Sequence, residues 1–242
     1  MGTGKPLRRR RRRENDPKVR PARRAADRNR GGSHRRRPTP SGVLALRRSL
    51  GKPHPRVVGV DDGAFERGDR YAPIAAVEVS LPSHVESIRT GLVRVDGTDG
   101  TRSVAALVRS LGPLDGVRAV LIDGAVVGGF NVLDLDRLHR ELSLPIVAVT
   151  RRPPEFPRIR EALRKWFPRS AERRWVLLRA HRLFPVPTGE RPIFAAAVGC
   201  SRADAIRLLG RTTVQGYWPE PVRLAHLVAS AGRQQRLRAP KD

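Results

Sequence analysis

The sequence predicts an α/β fold in which helices flank a mixed β-sheet. From residue 57 onward, short apolar runs bounded by Gly, Asp and Ser alternate with segments of helical periodicity. The first three predicted strands follow one another directly, as in an antiparallel meander, whereas helices separate the later strands. Residues 1–55 show neither pattern, so we predict one domain over residues 56–233.

The charge of the chain points to a polyanionic partner. The 242 residues carry a formal net charge of +26, and hydrophobic residues make up 39% of them. Residues 1–56 hold 20 Lys or Arg and 3 Asp or Glu, and residues 57–242 hold 29 and 20. Because both parts are basic, nucleic acid is the partner that we expect, DNA first and RNA as the alternative.

Several classes of protein are excluded. The single cysteine cannot form an intramolecular disulfide, and no Cys/His cluster has the spacing of zinc ligands. No apolar stretch approaches the roughly 18–20 residues that span a bilayer, so we expect no membrane contact. These features fit a cytoplasmic protein. The oligomeric state is left open.

The two ends of the chain are predicted to lie outside the domain. Residues 1–55 are rich in Arg, Pro, Gly and Ser, and such a segment buries too little apolar surface to offset the entropy of ordering. We predict a disordered, Arg-rich tail. Three interpretations are open: it is an arm that binds phosphates, a solubilising tail or the product of a mis-assigned start codon. Residues 234–242 are predicted to form a flexible C-terminal tail.

The apolar runs place the strands. They are predicted at residues 57–60, 73–79, 87–95, 117–122, 145–149, 175–178 and 193–198. Apolar residues at helical spacing predict helices in the intervals, at about residues 104–111, 135–142, 159–166, 201–209 and 219–232. Asp134 and Ser201 stand where helix N-caps are expected. The order of elements is also that of ribonuclease H-like nucleases.

Two of the predicted buried strands end in acids. The first runs into Asp61-Asp62-Gly63 and the fourth into Asp123-Gly124. Carboxylates at the ends of neighbouring strands can hold divalent ions that stabilise the charge developed in phosphodiester hydrolysis. The alternative is that each Asp-Gly pair is a turn. Asp62 points away from Asp61 if the strand geometry continues, so it is either a second ligand or a residue that caps a loop.

Further polar residues each have two interpretations. Asp96 and Asp99 follow the third strand, as a third metal ligand or as loop acids. Glu220 begins the last helix, where an acid is favoured in any case, but it could also reach the metals. His226 is a general base or phosphate contact, or it is structural.

Three basic residues could clamp a phosphate. They lie after the fifth predicted strand and near the end of the following helix, and they are Arg151, Arg152 and Lys165. A solvated face is the alternative interpretation for each of them. Composition and spacing do not decide between these interpretations.

Four segments, taken in order, resemble a known family. They are GVDDGAF at 59–65, LIDG at 121–124, GFNV at 129–132 and WPEPVRLAH at 218–226. Together they resemble the archaeal endonuclease dU family, which is similar to endonuclease V, the repair nuclease for deaminated bases. The resemblance covers about residues 56–232 and leaves the basic tail outside.

The resemblance implies a ribonuclease H-like fold and a magnesium- or manganese-dependent nuclease that nicks DNA near a deaminated base. Asp61 matches the catalytic aspartate that ends the first strand of endonuclease V, and Asp123 matches a later Asp-Gly. His226 occupies a place held there by an acid or histidine near the metal. The endonuclease V glutamate has no clear counterpart, which leaves its place to Asp96 or Asp99, and its strand-separating wedge is not recognisable.

These arguments define the expected site and function. We predict the catalytic residues Asp61, Asp62, Asp123 and His226, and the metal ligands Asp61, Asp96, Asp123 and Glu220. The favoured function is an endodeoxyribonuclease of DNA repair that nicks DNA at or near a deaminated base, with deoxyuridine favoured. The alternatives are a non-catalytic nucleic-acid-binding module of the same fold and a ribonuclease that acts on modified RNA.

Overall fold

A computed structural model describes residues 54–66, 68–189 and 191–238. Within these residues, seven strands form one mixed sheet. They are β1 (Arg56–Asp62), β2 (Tyr71–Ser80), β3 (His84–Arg94), β4 (Val117–Asp123), β7 (Ile146–Thr150), β8 (Phe184–Val186) and β9 (Ile193–Val198). Two short strands, β5 (Val126–Val127) and β6 (Asn131–Val132), pair separately as a small hairpin. The predicted disordered tail lies outside the described residues up to residue 53.

The strand order in the large sheet is β3-β2-β1-β4-β7-β9-β8. Strands β1, β2 and β3 pair antiparallel, β4 runs parallel to β1, and β7 runs parallel to β4. Strand β9 then pairs antiparallel with both β7 and β8. This is a meander followed by parallel crossovers, which confirms the predicted ribonuclease H-like sheet.

Helices cover both faces of the sheet. They are α1 (Gly100–Arg109), α2 (Leu135–Leu142), α3 (Phe156–Trp166), α4 (Ala171–Arg179), α5 (Arg202–Thr212) and α6 (Glu220–Arg238). Val58 and Val60 of β1 pack in one core with residues of α1 and α2. Val57 faces the other way, into a core that contains Leu208 of α5 and Val222 of α6. Successive side chains of β1 therefore alternate between the two helical layers.

Two glycines, Gly59 in β1 and Gly63 directly after it, allow α6 to lie directly against the strand. A Cβ atom on Gly59 would stand 2.0 Å from the carbonyl oxygen of Pro221, and one on Gly63 would stand 2.5 Å from that of Ala229. Real Cβ atoms are not found so close to backbone. Because residues 59, 61 and 63 share one face of the strand, Asp61 lies between the two glycines and faces α6.

The structure corrects two predictions of local structure. Residues 175–178 are part of helix α4 and do not form a strand. A four-residue apolar run cannot be distinguished from a helical segment by periodicity, and the flanking Glu-Arg-Arg and Arg-Ala sequences favour a helix. Helix α6 also continues to Arg238, past the predicted domain end at residue 233, because the Arg, Gln and Leu residues after Gly232 are good helix formers.

The remaining predictions of elements agree with the structure apart from their ends. Strand β3 begins earlier than predicted, at His84, and strand β1 includes both Asp61 and Asp62. Strand β8 and the hairpin β5–β6 were not predicted, since each strand has three residues or fewer. In the part of the chain that the structure describes, no helix has both the length and the apolar composition needed to cross a bilayer.

Candidate active site

Asp61 and Asp123 come together at the carboxyl ends of two neighbouring parallel strands. Val60 of β1 is in register with Ile122 of β4, so each aspartate follows directly at the same edge of the sheet. Asp61 is almost completely buried, with 4% of its surface exposed. The side chain of Asp123 is 23% exposed. One carboxylate is therefore shielded, and its neighbour faces solvent.

His226 of α6 contacts Asp61 from the adjoining helical layer. Its Nδ1 atom lies 2.9 Å from Oδ2 of Asp61, and the other carboxylate oxygen accepts the amide hydrogen of Asp62 at 2.8 Å. The imidazole is about half exposed, at 54%. A partly exposed histidine on a buried carboxylate can pass a proton between that carboxylate and water.

Asp62 points to the opposite side of β1. Its Oδ2 atom accepts a hydrogen bond from the amide of Gly128 at 2.6 Å. Gly128 belongs to the turn between β5 and β6 and has a φ of +55°, a conformation that favours glycine. Of the two interpretations of Asp62, this contact favours the capping of a loop.

Arg151 follows β7 and contacts Asp123. Its Nη1 atom lies 3.2 Å from Oδ2 of Asp123, and its guanidinium carbon is 3.9 Å from the ring centroid of the buried Trp218. The side chain is therefore fixed at the solvent edge of the acidic pair instead of lying on a free solvated face. Because guanidinium groups bind phosphate as readily as carboxylate, Arg151 is positioned to exchange one for the other.

The electrostatics of the cluster oppose its full ionisation. Burial, then the charges of Asp123 and Asp62, raise the pKa of Asp61 from its usual 3.8 to about 8. Burial also raises the pKa of Asp62 and of Asp123, and Arg151 counteracts the rise at Asp123. Carboxylates whose ionisation is opposed by burial and by one another favour the binding of a cation.

The donors available in the cluster suit a hard divalent ion. Carboxylate oxygens are the protein ligands that Mg²⁺ and Mn²⁺ prefer, and Mg²⁺ retains several waters. In the described part of the chain, no three His, Cys, Asp or Glu side chains are already arranged to hold a metal ion. Because Arg151 contacts Asp123, a cation at Asp123 competes with this arginine, whereas the contact with His226 leaves lone pairs of the Asp61 carboxylate available.

Asp96 and Asp99 lie in a hydrogen-bonded pair of loops. Oδ1 of Asp96 accepts the amide hydrogen of Phe130 at 2.8 Å, and its own amide donates to the carbonyl of Gly128. Asn131, fully buried, donates to Asp99 at 2.7 Å and accepts from the amide of Gly100 at 2.8 Å. These contacts join the loop after β3 to the turn between β5 and β6. They support the loop interpretation of both acids.

Glu220 also has a partner outside the acidic pair. Both of its carboxylate oxygens lie 2.7 Å from the guanidinium of Arg223, one turn along α6. This pairing lowers the pKa of Glu220. In the regions that the structure describes, no hydrogen bond or ion pair joins Glu220 or Asp96 to Asp61 or Asp123. Their roles as metal ligands stay predictions.

The other predicted residues are found in several places. Asp134 caps α2 by accepting the amide hydrogen of Arg137 at 2.9 Å, as predicted, and Ser201 caps α5 in the same way. Arg152 lines a cavity, and Lys165 lies on the surface of α3 beside Trp166. Neither Trp218, although it begins the segment 218–226 of the family resemblance, nor the buried Arg174, which supports the two loops, was identified as a site residue from the sequence.

A cavity of about 400 Å³ adjoins the acidic pair. Gly124, the residue after Asp123, is part of its wall, together with Gly129 and Phe130 of the β5–β6 turn and apolar residues of α3 and α4. The wall is predominantly apolar, which is typical of sites that bind small organic molecules. The cavity, the turn and Asp123 therefore form one continuous region.

Comparisons with known proteins identify close relatives. Residues 53–232 match the family described as Endonuclease dU. A protein from Thermococcus gammatolerans, named UPF0215 protein, is 38% identical over 185 residues, which are 74% of this chain and 93% of that protein. The UPF0215 protein MK0057 of Methanopyrus kandleri is 34% identical over 181 residues, 74% of this chain and 91% of that one.

Solved structures share the fold. A protein of unknown function from Archaeoglobus fulgidus is 29% identical and superposes with a TM-score of 0.65, over 73% of this chain and 96% of that one. The catalytic domain of human endonuclease V gives a TM-score of 0.54 at 17% identity, over 81% and 95%. Endonuclease V of Ciona intestinalis, in complex with an inosine-containing DNA, gives 0.52 at 16%, over 76% and 87%.

The family match spans the whole sheet, the acidic pair and the part of α6 that carries His226. The two archaeal relatives are each more than 30% identical over 74% of the chain. This chain belongs to the Endonuclease dU family and is an endonuclease.

Proposed function

We propose that this endonuclease depends on a divalent metal ion and nicks DNA at or near a deaminated base, with deoxyuridine as the favoured lesion. The observation that carries the proposal is the pairing of Asp61 and Asp123 at the ends of β1 and β4, in a setting that raises the pKa of both. The description of the family supports an endonuclease and deoxyuridine.

Asp61 and Asp123 would hold Mg²⁺ or Mn²⁺, which supplies charge stabilisation to phosphodiester hydrolysis. His226 orients Asp61 through the 2.9 Å contact at Oδ2 and can hold a proton at Nδ1. Arg151 can transfer its guanidinium from Asp123 to a phosphate oxygen when a cation takes its place. The chain thus has carboxylates that would bind the metal ion, an arginine that can bind the phosphate and a histidine that can transfer a proton.

The cavity beside Asp123 supports recognition of a single base. Its volume, about 400 Å³, is in the range of small-molecule sites and accommodates a pyrimidine ring. Enzymes that act at damaged bases turn the base out of the stack, at a cost of a few kcal/mol that is lowest at a mismatch. We place the extruded base in this cavity, with Gly124 between the base and the acidic pair.

A ribonuclease acting on modified RNA is the second candidate. The DNA bound to Ciona intestinalis endonuclease V contains an inosine followed by a ribo-adenosine, so an enzyme of this fold accommodates a ribonucleotide beside the modified base. The side chains of Asp123, Arg151 and His226 are all partly exposed, so a nucleic-acid backbone of either kind can approach them. Matched substrates separate the two candidates.

The test is an incision assay on oligonucleotides that differ in one position. The protein is incubated with each substrate in Mg²⁺, Mn²⁺ or chelator. The substrates are DNA duplexes that contain uracil, hypoxanthine or no damaged base, together with RNA of the same sequence. We expect metal-dependent nicking of the uracil-containing DNA, abolished in Asp61→Asn and Asp123→Asn with DNA binding retained. Nicking in chelator, full activity of either variant, or equal cutting of undamaged DNA would contradict the proposal.

A further inference from the structure

The positive charge of the domain is concentrated in one segment. Residues 151–182, which contain α3 and α4, hold 11 Lys or Arg and 3 Asp or Glu, a net of +8. The whole of residues 57–242 has a net charge of +9, from 29 basic and 20 acidic residues. The rest of the domain is therefore close to neutral, and the basic side chains of this segment are exposed except for Arg174.

Aromatic rings lie between the basic side chains. An open groove between α3 and α4 is lined by four basic residues, one acidic residue and three apolar ones, which are Arg160, Arg164, Lys165, Arg179, Glu161, Phe156, Pro157 and Trp175. The guanidinium carbons of Arg160 and Arg179 lie 5.2 and 5.5 Å from the centroid of the Trp175 ring. Trp166 at the end of α3 is 62% exposed, with the Lys165 ammonium 5.0 Å from the centroid of its ring.

Most cations of the groove lack acidic partners. In the described ranges, no ion pair involves Arg160, Arg164 or Lys165, whereas Arg158, on another side of α3, lies 3.0 Å from Glu155. Unpaired cations beside an exposed ring, here Trp166 next to Lys165, are features of surfaces that bind single-stranded nucleic acid, where the cations contact phosphates and the ring stacks on a base.

The groove leads to the acidic pair. Phe156 lines both the groove and the 400 Å³ cavity, and the wall of that cavity includes Gly124, next to Asp123. The same segment begins with Arg151, which contacts Asp123 directly. A strand that lies along the groove can therefore continue past Phe156 into the cavity, whose wall includes Gly124 beside Asp123.

We propose that the groove between α3 and α4 binds an unpaired stretch of DNA strand beside the nucleotide that enters the cavity. Arg160, Arg164 and Lys165 contact its phosphates, and Trp166 stacks on one of its bases. A duplex hides the faces of its bases, so the exposed ring favours a locally unpaired strand. The position of this strand relative to the cut rests on the proposed function, but binding itself does not.

The test compares two triple variants of the full chain with equal loss of charge. R160A/R164A/K165A alters the groove, and R102A/R140A/R211A removes three exposed arginines from α1, α2 and α5. Affinity for a fluorescent single-stranded 12-mer is measured in chelator over a series of salt concentrations. The salt slope is the slope of the logarithm of the association constant against the logarithm of the salt concentration. We expect the groove variant to reduce its magnitude by about 2, at about 0.7 per phosphate contact, and the control to reduce it much less.

Trp166→Ala separates stacking from charge. We expect it to weaken binding of the 12-mer about fivefold with an unchanged salt slope, because stacking on an aromatic side chain is sequence-tolerant and uncharged. The exposure of Trp166 makes the substitution compatible with folding. The Trp166→Ala variant should bind duplex of the same sequence as tightly as the wild-type chain does.

The outcomes distinguish this inference from the proposed function. Equal salt slopes for the groove and control variants would overturn the inference even if uracil-containing DNA is nicked normally. A selective loss of binding in the groove variant supports it even if no lesion is cut. Polyglutamate is the competitor that mimics an acidic protein. If it displaces the 12-mer as effectively as unlabelled 12-mer at equal charge concentration, the partner is an acidic protein and the inference is overturned.

Discussion

His226 and Asp61 lie 165 positions apart in the sequence, yet Nδ1 of the histidine is 2.9 Å from Oδ2 of the aspartate. The contact depends on the glycines on either side of Asp61, which let the backbone of α6 touch β1 at Pro221 and Ala229. The contact through which His226 and Asp61 can exchange a proton therefore depends on how closely α6 packs against β1. Substitutions can separate the chemistry of this contact from its packing.

His226→Ala removes the imidazole and leaves the half-exposed space to water. If His226 transfers protons at the site, we expect turnover to fall about 10²-fold or more with DNA affinity retained, since this is the usual contribution of a general acid or base. The measurement is single-turnover nicking of uracil-containing DNA from pH 6 to 9. His84→Ala, at an exposed position of β3, is the matched control. A similar small loss in both variants would leave His226 with a structural role.

The pH dependence of stability reports on Asp61 in the metal-free protein. Its pKa is about 8 in the folded state and 3.8 as a free side chain, so between these values the folded state binds a proton that the unfolded state lacks. The contribution of Asp61 to the free energy of unfolding therefore falls as pH rises from about 4 to about 8. The raised pKa values of Asp62 and Asp123 act in the same direction.

Asp61→Asn isolates this contribution. We expect the difference in unfolding free energy between Asp61→Asn and the wild-type chain, measured by denaturant titration in chelator, to grow in favour of the variant from pH 5 to pH 8. Added Mg²⁺ or Mn²⁺ should stabilise the wild-type chain and not the variant. A pH-independent difference would show that Asp61 ionises normally in the folded protein.

Arg151 competes with a cation for Asp123. Their contact is partly exposed, and such ion pairs contribute about 0.2–1 kcal/mol. We expect Arg151→Ala to lower the concentration of Mn²⁺ that gives half-maximal thermal stabilisation, by up to about fivefold. Arg152→Ala, the adjacent exposed arginine, should leave that concentration unchanged. A higher concentration in Arg151→Ala would mean that the arginine assists metal binding.

The central part of the site could be predicted from the sequence. Apolar runs that end in Asp61 and Asp123 define two buried strands, and parallel neighbours place their carboxyl ends at one edge. The pairing of Val60 with Ile122 confirms that arrangement. The place of His226 came from the family resemblance alone, because no local pattern states which strand a distant helix will contact.

The surroundings of the site could not be predicted in the same way. The partners of Asp62 and Asp96 are amides of a short turn, at Gly128 and Phe130, and backbone donors have no sequence signature. The interpretation of Trp175 as part of a strand was wrong because four apolar residues fit either period. Arg151 was ambiguous since an exposed arginine and one held against Asp123 look alike in a sequence.

Gly59→Ala tests the close approach of α6 to β1. The added Cβ would stand 2.0 Å from the carbonyl oxygen of Pro221, so strand and helix must separate. We expect a loss of about 3 kcal/mol in unfolding free energy, the cost of overpacking at a rigid contact, with a loss of activity as His226 moves away from Asp61. Gly210→Ala is the control, because a Cβ there meets nothing within 4 Å. In the last turn of α5 it should leave the stability unchanged or raise it by about 0.5 kcal/mol.

Arg174 connects α4 to both loops that support the site. The side chain is 5% exposed, and its guanidinium donates to the carbonyl oxygens of Asp96 and Phe130 and to the hydroxyl of Ser170. Arg174→Met keeps most of the volume but leaves these acceptors without their donor. We expect a loss of about 3 kcal/mol, in line with the cost of unsatisfied buried polar groups.

The decisive readout for Arg174 is local. Hydrogen exchange should accelerate at the amides of Asp96 and Phe130 more than in the strands of the large sheet, because Arg174 joins the turn that carries Phe130 to the loop after β3. Uracil-directed nicking should fall with it, since Phe130 lines the cavity beside Asp123. Arg173→Met, one position earlier and exposed, removes the same charge without these contacts. Equal protection in the two variants would show that Asp62 and Asn131 alone hold the turn in place.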